Sequence, residues 1–169
     1  MSTTISDYEL QVPARFVALF RRSLIDEVEF DASWVKDEGA DLAKFYDEVD
    51  DSDKPDERDS DTLEALLEGR LEDLSGASRH LSEDYNLLER ISRHISPRQD
   101  VTIRESYATL HGALEATICR AVKDMVDATD VAPVRGGRVV HRSSAAIWAV
   151  EEIERLSTEA DAEANGGDA

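Results

Sequence analysis

Residues Thr102 to Arg142 read TIRESYATLHGALEATICRAVKDMVDATDVAPVRGGRVVHR, and the fold turns on how this stretch is parsed. Thr102-Ile103-Arg104-Glu105 fits a capping box, in which the Thr hydroxyl accepts the Glu105 backbone N–H and the Glu carboxylate accepts that of Thr102. A short helix follows, with Ile103, Tyr107 and Leu110 on its buried edge. Glycine costs about 1 kcal/mol inside a helix but is favoured just past a helix end. His111-Gly112-Ala113 therefore reads as a turn. A second helix runs from Leu114 to Ala128, with Leu114, Ile118, Val122 and Met125 inward and Ala121 beside them. Two β-branched runs then flank Arg135-Gly136-Gly137, which is a hairpin signal. Pro133 suits an edge strand, because it has no N–H to give to a ladder.

Working outward, Tyr85, Leu88, Ile91 and Ile95 recur at helical spacing up to Ser96-Pro97, where proline disfavours a helical predecessor. Pro13 opens an earlier helix with Phe16, Val17, Phe20, Leu24 and Val28 on one face. Phe30 to Gly39 reads as a connection and Ala40 to Val49 as a short helix. Asp50 to Asp61, DDSDKPDERDSD, has no apolar residue and reads as a solvated linker. Leu63, Leu66, Leu67, Leu71 and Leu74 mark a helix that stops at Gly76. Ser143-Ser144 caps a last helix bearing Ala146, Val150, Ile153 and Leu156, and 159–169 reads as a disordered tail.

The expected fold class is mainly α, in four parts. These are an acidic helical region over 1–76, a domain of three helices and a hairpin over 78–142, a C-terminal helix over 143–158, and the tail.

The chain has 169 residues and 41% hydrophobic side chains, enough for a core built mostly from Leu, Ile, Val and Ala. Its formal net charge is -19, with 20 Asp and 18 Glu against 15 Arg and 4 Lys. High Asp with few Lys resembles the proteins of salt-accumulating halophilic archaea, in which molar salt screens carboxylate repulsion within about 3 Å. The charge is uneven: Asp26 to Asp73 carries net -15, whereas Tyr85 to Trp148 carries net +2. No apolar run approaches the roughly 20 residues of a membrane span. The N-terminus has no signal-peptide pattern, so a cytoplasmic protein with no membrane association is expected.

The segment Tyr85 to Arg142 resembles the winged helix-turn-helix regulators of archaea and bacteria. The likeness rests on the order YNLLERISRHI, TIRESYATL, HGA, LEATICRAVKDM and VAPVRGGRVVH. It implies a sequence-specific, DNA-binding transcriptional regulator that reads double-stranded DNA as a homodimer, its half-sites about one helical turn apart. Leu114 to Ala128 becomes the recognition helix, with Glu115, Thr117, Arg120, Lys123 and Asp124 outward. Arg120 is the candidate for guanine O6 and N7, and Thr117 for a phosphate or a thymine methyl, with Lys123 on the same face. Arg135 and Arg138 flank the wing tip, and Arg104 is placed for a phosphate.

Two other readings stand beside this one. The acidic N-terminal region suits basic protein partners and would make the chain a non-enzymatic helical adaptor. Arg104 and His111 form R-x6-H, which resembles the Arg–His pair of the helical HEPN ribonucleases. No nucleotide-binding glycine loop, G-x-S-x-G or H-E-x-x-H occurs, so neither an enzyme nor a cofactor is expected. Cys119 is the single cysteine, and His80, His94, His111 and His141 share no metal-ligand spacing.

Overall fold

Leu10 and Val12 alternate with exposed Glu9 and Gln11 along strand β1 (Tyr8–Val12), and Val101 and Ile103 do the same along β2 (Val101–Glu105). In the computed structural model the two strands pair antiparallel, with Leu10 opposite Ile103 and Val12 opposite Val101. Alternation by two puts all four side chains on one face, and that face is buried. The structure describes residues 7–50, 59–94, 98–130 and 136–166. The chain is mainly α: helices α1 (Val17–Val49), α2 (Ser60–Ser92), α3 (Tyr107–Asp130) and α4 (Gly136–Gly166) accompany the two strands. It divides into two units, one of Met1–Glu27 with Asn86–Ala169 and the other of Val28–Tyr85.

The first unit holds the main core. Pro13 precedes a 3-10 turn, Ala14–Phe16, that leads into α1, and the Asp100 carboxylate accepts the Ala14 N–H at 3.0 Å. Phe16, Val17, Phe20 and Leu24 then fall on the buried face, as their spacing predicts. Trp148 of α4 packs on Phe16 and Phe20, with ring centroids 5.5 and 6.3 Å away. Helices α3 and α4 run antiparallel: Arg142 meets Asp124, while Tyr107 meets Ser157 at the other end. Tyr8 donates to Glu163 at 2.8 Å and Arg155 donates to the Glu9 carbonyl at 2.7 Å, tying β1 to α4.

The stretch from Thr102 is built differently from its expected form. Thr102 to Glu105 is strand β2, not the opening of a helix. The cap lies one residue further on, where Ser106 Oγ accepts the Thr109 N–H at 3.3 Å and the Ser106 carbonyl accepts that of Leu110 at 3.1 Å. The TIRE motif satisfies both patterns, and β1, some ninety residues earlier, decides for the strand. Helix α3 is continuous through Gly112, so the expected turn is absent. Its inner face is Leu110, Ala113, Leu114, Thr117 and Ala121, while Val122 is exposed. Burial of those side chains outweighs the roughly 1 kcal/mol cost of one glycine.

No residue described has the left-handed backbone that favours glycine, and a Cβ at Gly112 would meet no atom within 4 Å. Gly112→Ala is therefore expected to raise the unfolding free energy by about 1 kcal/mol. Urea titration reads this directly. A lowered midpoint would restore the helix break.

The winged arrangement is not seen among the described residues. The first wing strand and Arg135 lie outside them, and the second, Arg138 to His141, belongs to α4. Helix α4 begins before the expected Ser143 cap and continues to Gly166 through most of the expected disordered tail. Arg155 pairs there with Glu152 and Glu159, both at 2.7 Å, and supports the acidic end of the helix. Its buried face is Ala145, Trp148, Ala149 and Leu156, and Val150 is exposed.

The second unit is two antiparallel helical segments. Trp34 of α1 stacks on His80 of α2 at 6.0 Å, and Arg70 of α2 lies over Phe45 of α1 at 5.6 Å. Partner numbers fall along one helix as they rise along the other. The expected connection at Phe30–Gly39 and the expected stop at Gly76 are both helical, at points where a Cβ would meet nothing. Asp59 caps α2 by accepting the Thr62 N–H at 2.8 Å, which holds its carboxyl below the usual range. The linker expected over Asp50 to Asp61 falls mostly outside the described residues.

Candidate functional site

Of the residues expected to touch DNA, Arg104 sits exposed on β2 and gives two bonds to Glu9 Oε2, at 3.0 and 2.9 Å, across the strand pair. Thr117 is fully buried, where an outward position was expected. Its hydroxyl lies 3.0 Å from Ser23 Oγ, and the carbonyls of Ala113 and Phe20 accept from the pair at 2.8 and 2.7 Å. The inner face of α3 is turned relative to the expected one, which carries Thr117 into the core. Lys123 is exposed on α3. Arg135 lies outside the described residues; Arg138 lies on α4, its side chain undescribed.

Arg120 holds a different kind of position. Its Nη1 donates to Asp26 Oδ2 at 2.8 Å, and its Nε lies 3.3 Å from Asp124 Oδ1 without hydrogen-bond geometry. Arg142 of α4 approaches the other Asp124 oxygen at 3.3 Å and donates to the Asp124 carbonyl at 3.2 Å. Arg22 adds one long pair, Nε to Asp26 Oδ1 at 3.7 Å. These groups border a cleft of about 350 Å³, walled by Arg15, Arg22, Arg120, Arg142 and Asp124 over an apolar floor of Ala18 and Leu19. Sequence reasoning singled out Arg120 alone. The i, i+7 spacing of Arg15, in the 3-10 turn, and Arg22, on α1, was a usable signal for one face, but their meeting with α3 and α4 was not.

In the second unit, Phe30, Ser33, Trp34 and Asp37 line another cleft, of about 270 Å³. Phe30 is 65% exposed, and Tyr46 and Tyr85 are also open. Trp34 Nε1 donates to Glu38 at 3.0 Å, so its polar end is satisfied while its ring remains at the surface of the cleft. The nearby Asp31 is buried, and burial raises its carboxyl above the usual range against the opposing influence of Asp84 and His80.

The R-x6-H pair does not share a helix: Arg104 is on β2, and His111 on α3 packs against Tyr107 and lies 3.5 Å from Glu115. Cys119 is exposed. Among the described residues no group of three or more His, Cys, Asp or Glu is placed to hold a metal, and no helix is long and apolar enough to cross a membrane. No protein-family model, curated protein or solved structure matches the chain.

Proposed function

We propose that this chain is a non-enzymatic helical adaptor, and that the unit Val28–Tyr85 docks a protein partner whose surface is basic around an apolar centre. One observation carries the reading. Exposed Phe30 and the Trp34 cleft sit within a segment of 20 acidic and 6 basic residues, net -14. An exposed aromatic beside an apolar cleft offers a partner one continuous apolar anchor point, which a singly exposed side chain does not. Trp and Tyr anchors ringed by charge are the usual energetic centre of such interfaces. The same field repels nucleic acid and steers basic partners inward. DNA reading is weakened, since Arg104 and Arg120 are engaged by carboxylates and Thr117 is in the core, which leaves Lys123 as the described candidate that is exposed as expected.

The test is affinity capture with the full chain at molar KCl, using wild type and Phe30→Asp as parallel baits. Wild type recovers a stoichiometric protein partner with a basic surface, and Phe30→Asp weakens its recovery about tenfold or more, as loss of one aromatic anchor predicts. Equal recovery by both baits would remove this docking site. Enrichment of specific DNA fragments, lost in Arg138→Ala, would return the function to DNA reading.

A further inference from the structure

Phe30, Ser33, Trp34 and Asp37 of α1 line the cleft on the second unit. Their spacing of i, i+3, i+4 and i+7 puts them on one face over two helical turns. Phe30 forms the open apolar end of this row. The Trp34 indole is held from two sides, by its stack on His80 and by the bond from Nε1 to Glu38. Asp37 closes the row and is exposed. Among the described residues its carboxylate forms no hydrogen bond or ion pair. That carboxylate is therefore open to an outside cation, at the end of an aromatic row and within a segment of net charge -14.

We propose that this cleft seats an arginine side chain of the basic partner, its stem along Phe30 and Trp34 and its guanidinium against Asp37. The proposal rests on the docking reading above and names the group that the partner brings to it. Aromatic rings attract a cation through their negative faces, and arginine takes such places more often than lysine. The methylenes of its stem cover apolar surface while the charged head stays at the rim, beside the carboxylate. The planar fork gives two parallel bonds to a carboxylate, which a lysine ammonium cannot. The cleft, about 270 Å³, lies just below the range of drug-sized ligand sites, a scale that suits one long side chain. The fixed indole means that little order is lost when the stem arrives.

The experiment is a nitrogen–proton correlation spectrum of the full chain, titrated at constant ionic strength with N-acetyl-arginine amide and, separately, with N-acetyl-lysine amide. Saturable shifts are expected at residues 30–37 and at the Trp34 indole N–H, with an arginine dissociation constant of roughly 10 mM or below. The lysine probe binds about threefold more weakly, because it keeps a point charge and lacks the fork. Asp37→Asn and Phe30→Leu each weaken arginine binding about threefold or more. Both positions are exposed, so neither change disturbs the packing of α1 on α2. Equal affinity for the two probes overturns the choice of arginine. Shifts spread evenly over the acidic surface, or unchanged affinity in Asp37→Asn, overturn the site. The docking reading fails separately. Capture of a partner that Phe30→Asp loses, beside no binding of the arginine probe, removes this proposal and leaves that reading. Arginine binding beside equal capture by both baits keeps the arginine site and removes the docking reading.

Discussion

Phe20→Ala lowers the unfolding free energy by about 3–5 kcal/mol, the usual cost of emptying a phenyl-sized space in a closed core. Phe20 is fully buried, and its ring meets Trp148 edge to face with an interplanar angle of 71°. The substitution removes both the transfer energy of the ring and the aromatic contact, which adds about 0.5–1.5 kcal/mol of its own. Neighbouring Phe16 and Leu24 are also fully buried and have little room to collapse into the space. Denaturant unfolding at fixed KCl concentration, followed by tryptophan fluorescence in a Trp34→Phe background, where Trp148 alone emits, and by circular dichroism, measures the loss. An unchanged midpoint would mean that α1 does not pack on α4 as described.

Arg120→Met is the second large effect, at about 2 kcal/mol of stability. The guanidinium links α1 to α3 through Asp26 and stands beside Asp124, whose side chain is only 16% exposed. Its removal leaves two carboxylates facing one another, with Arg22 and Arg142 as partial compensation. The cost is therefore smaller than the 3–5 kcal/mol of a wholly isolated buried charge. In a double-mutant cycle Asp26→Asn shows coupling to Arg120→Met of about 1 kcal/mol. The same variant separates two roles for this residue. A recognition-helix arginine held out for DNA would leave stability unchanged on truncation and abolish sequence preference.

The helical face of α1 shows how far local pattern carries. Phe16, Val17, Phe20 and Leu24 recur with a helical period, and Pro13 supplies a start that the pattern supports. Both features act within a few residues, so no distant partner is needed to recognise them. The stretch from Phe30 to Gly39 does not carry its own signal, whereas Ala40 to Val49 reads as a helix and is one. Glu29 to Glu48 is helical although its sequence is acidic and interrupted by Gly39, because a long helix tolerates a glycine and needs only a narrow apolar stripe. Phe45, Trp34 and the α2 residues they meet supply that stripe in the folded chain.

Thr102 to Arg142 divides in the same way. The sequence by itself determined that the chain is mainly helical, that Leu110, Leu114 and Ala121 face a core, and that its acids concentrate between Asp26 and Asp73. These follow from side-chain periodicity and composition, which need no distant partner. Only the tertiary structure decided that Val101 to Glu105 is a strand, since that depends on pairing with Tyr8 to Val12. It likewise turned α3 so that Thr117 enters the core beside Ser23, and drew Arg120 to Asp26. A five-residue segment obeys helical and extended patterns equally well, and a cation's partner is set by which helix lies beside it. Long-range contacts settle both, because burial and charge pairing are gained only when distant segments meet.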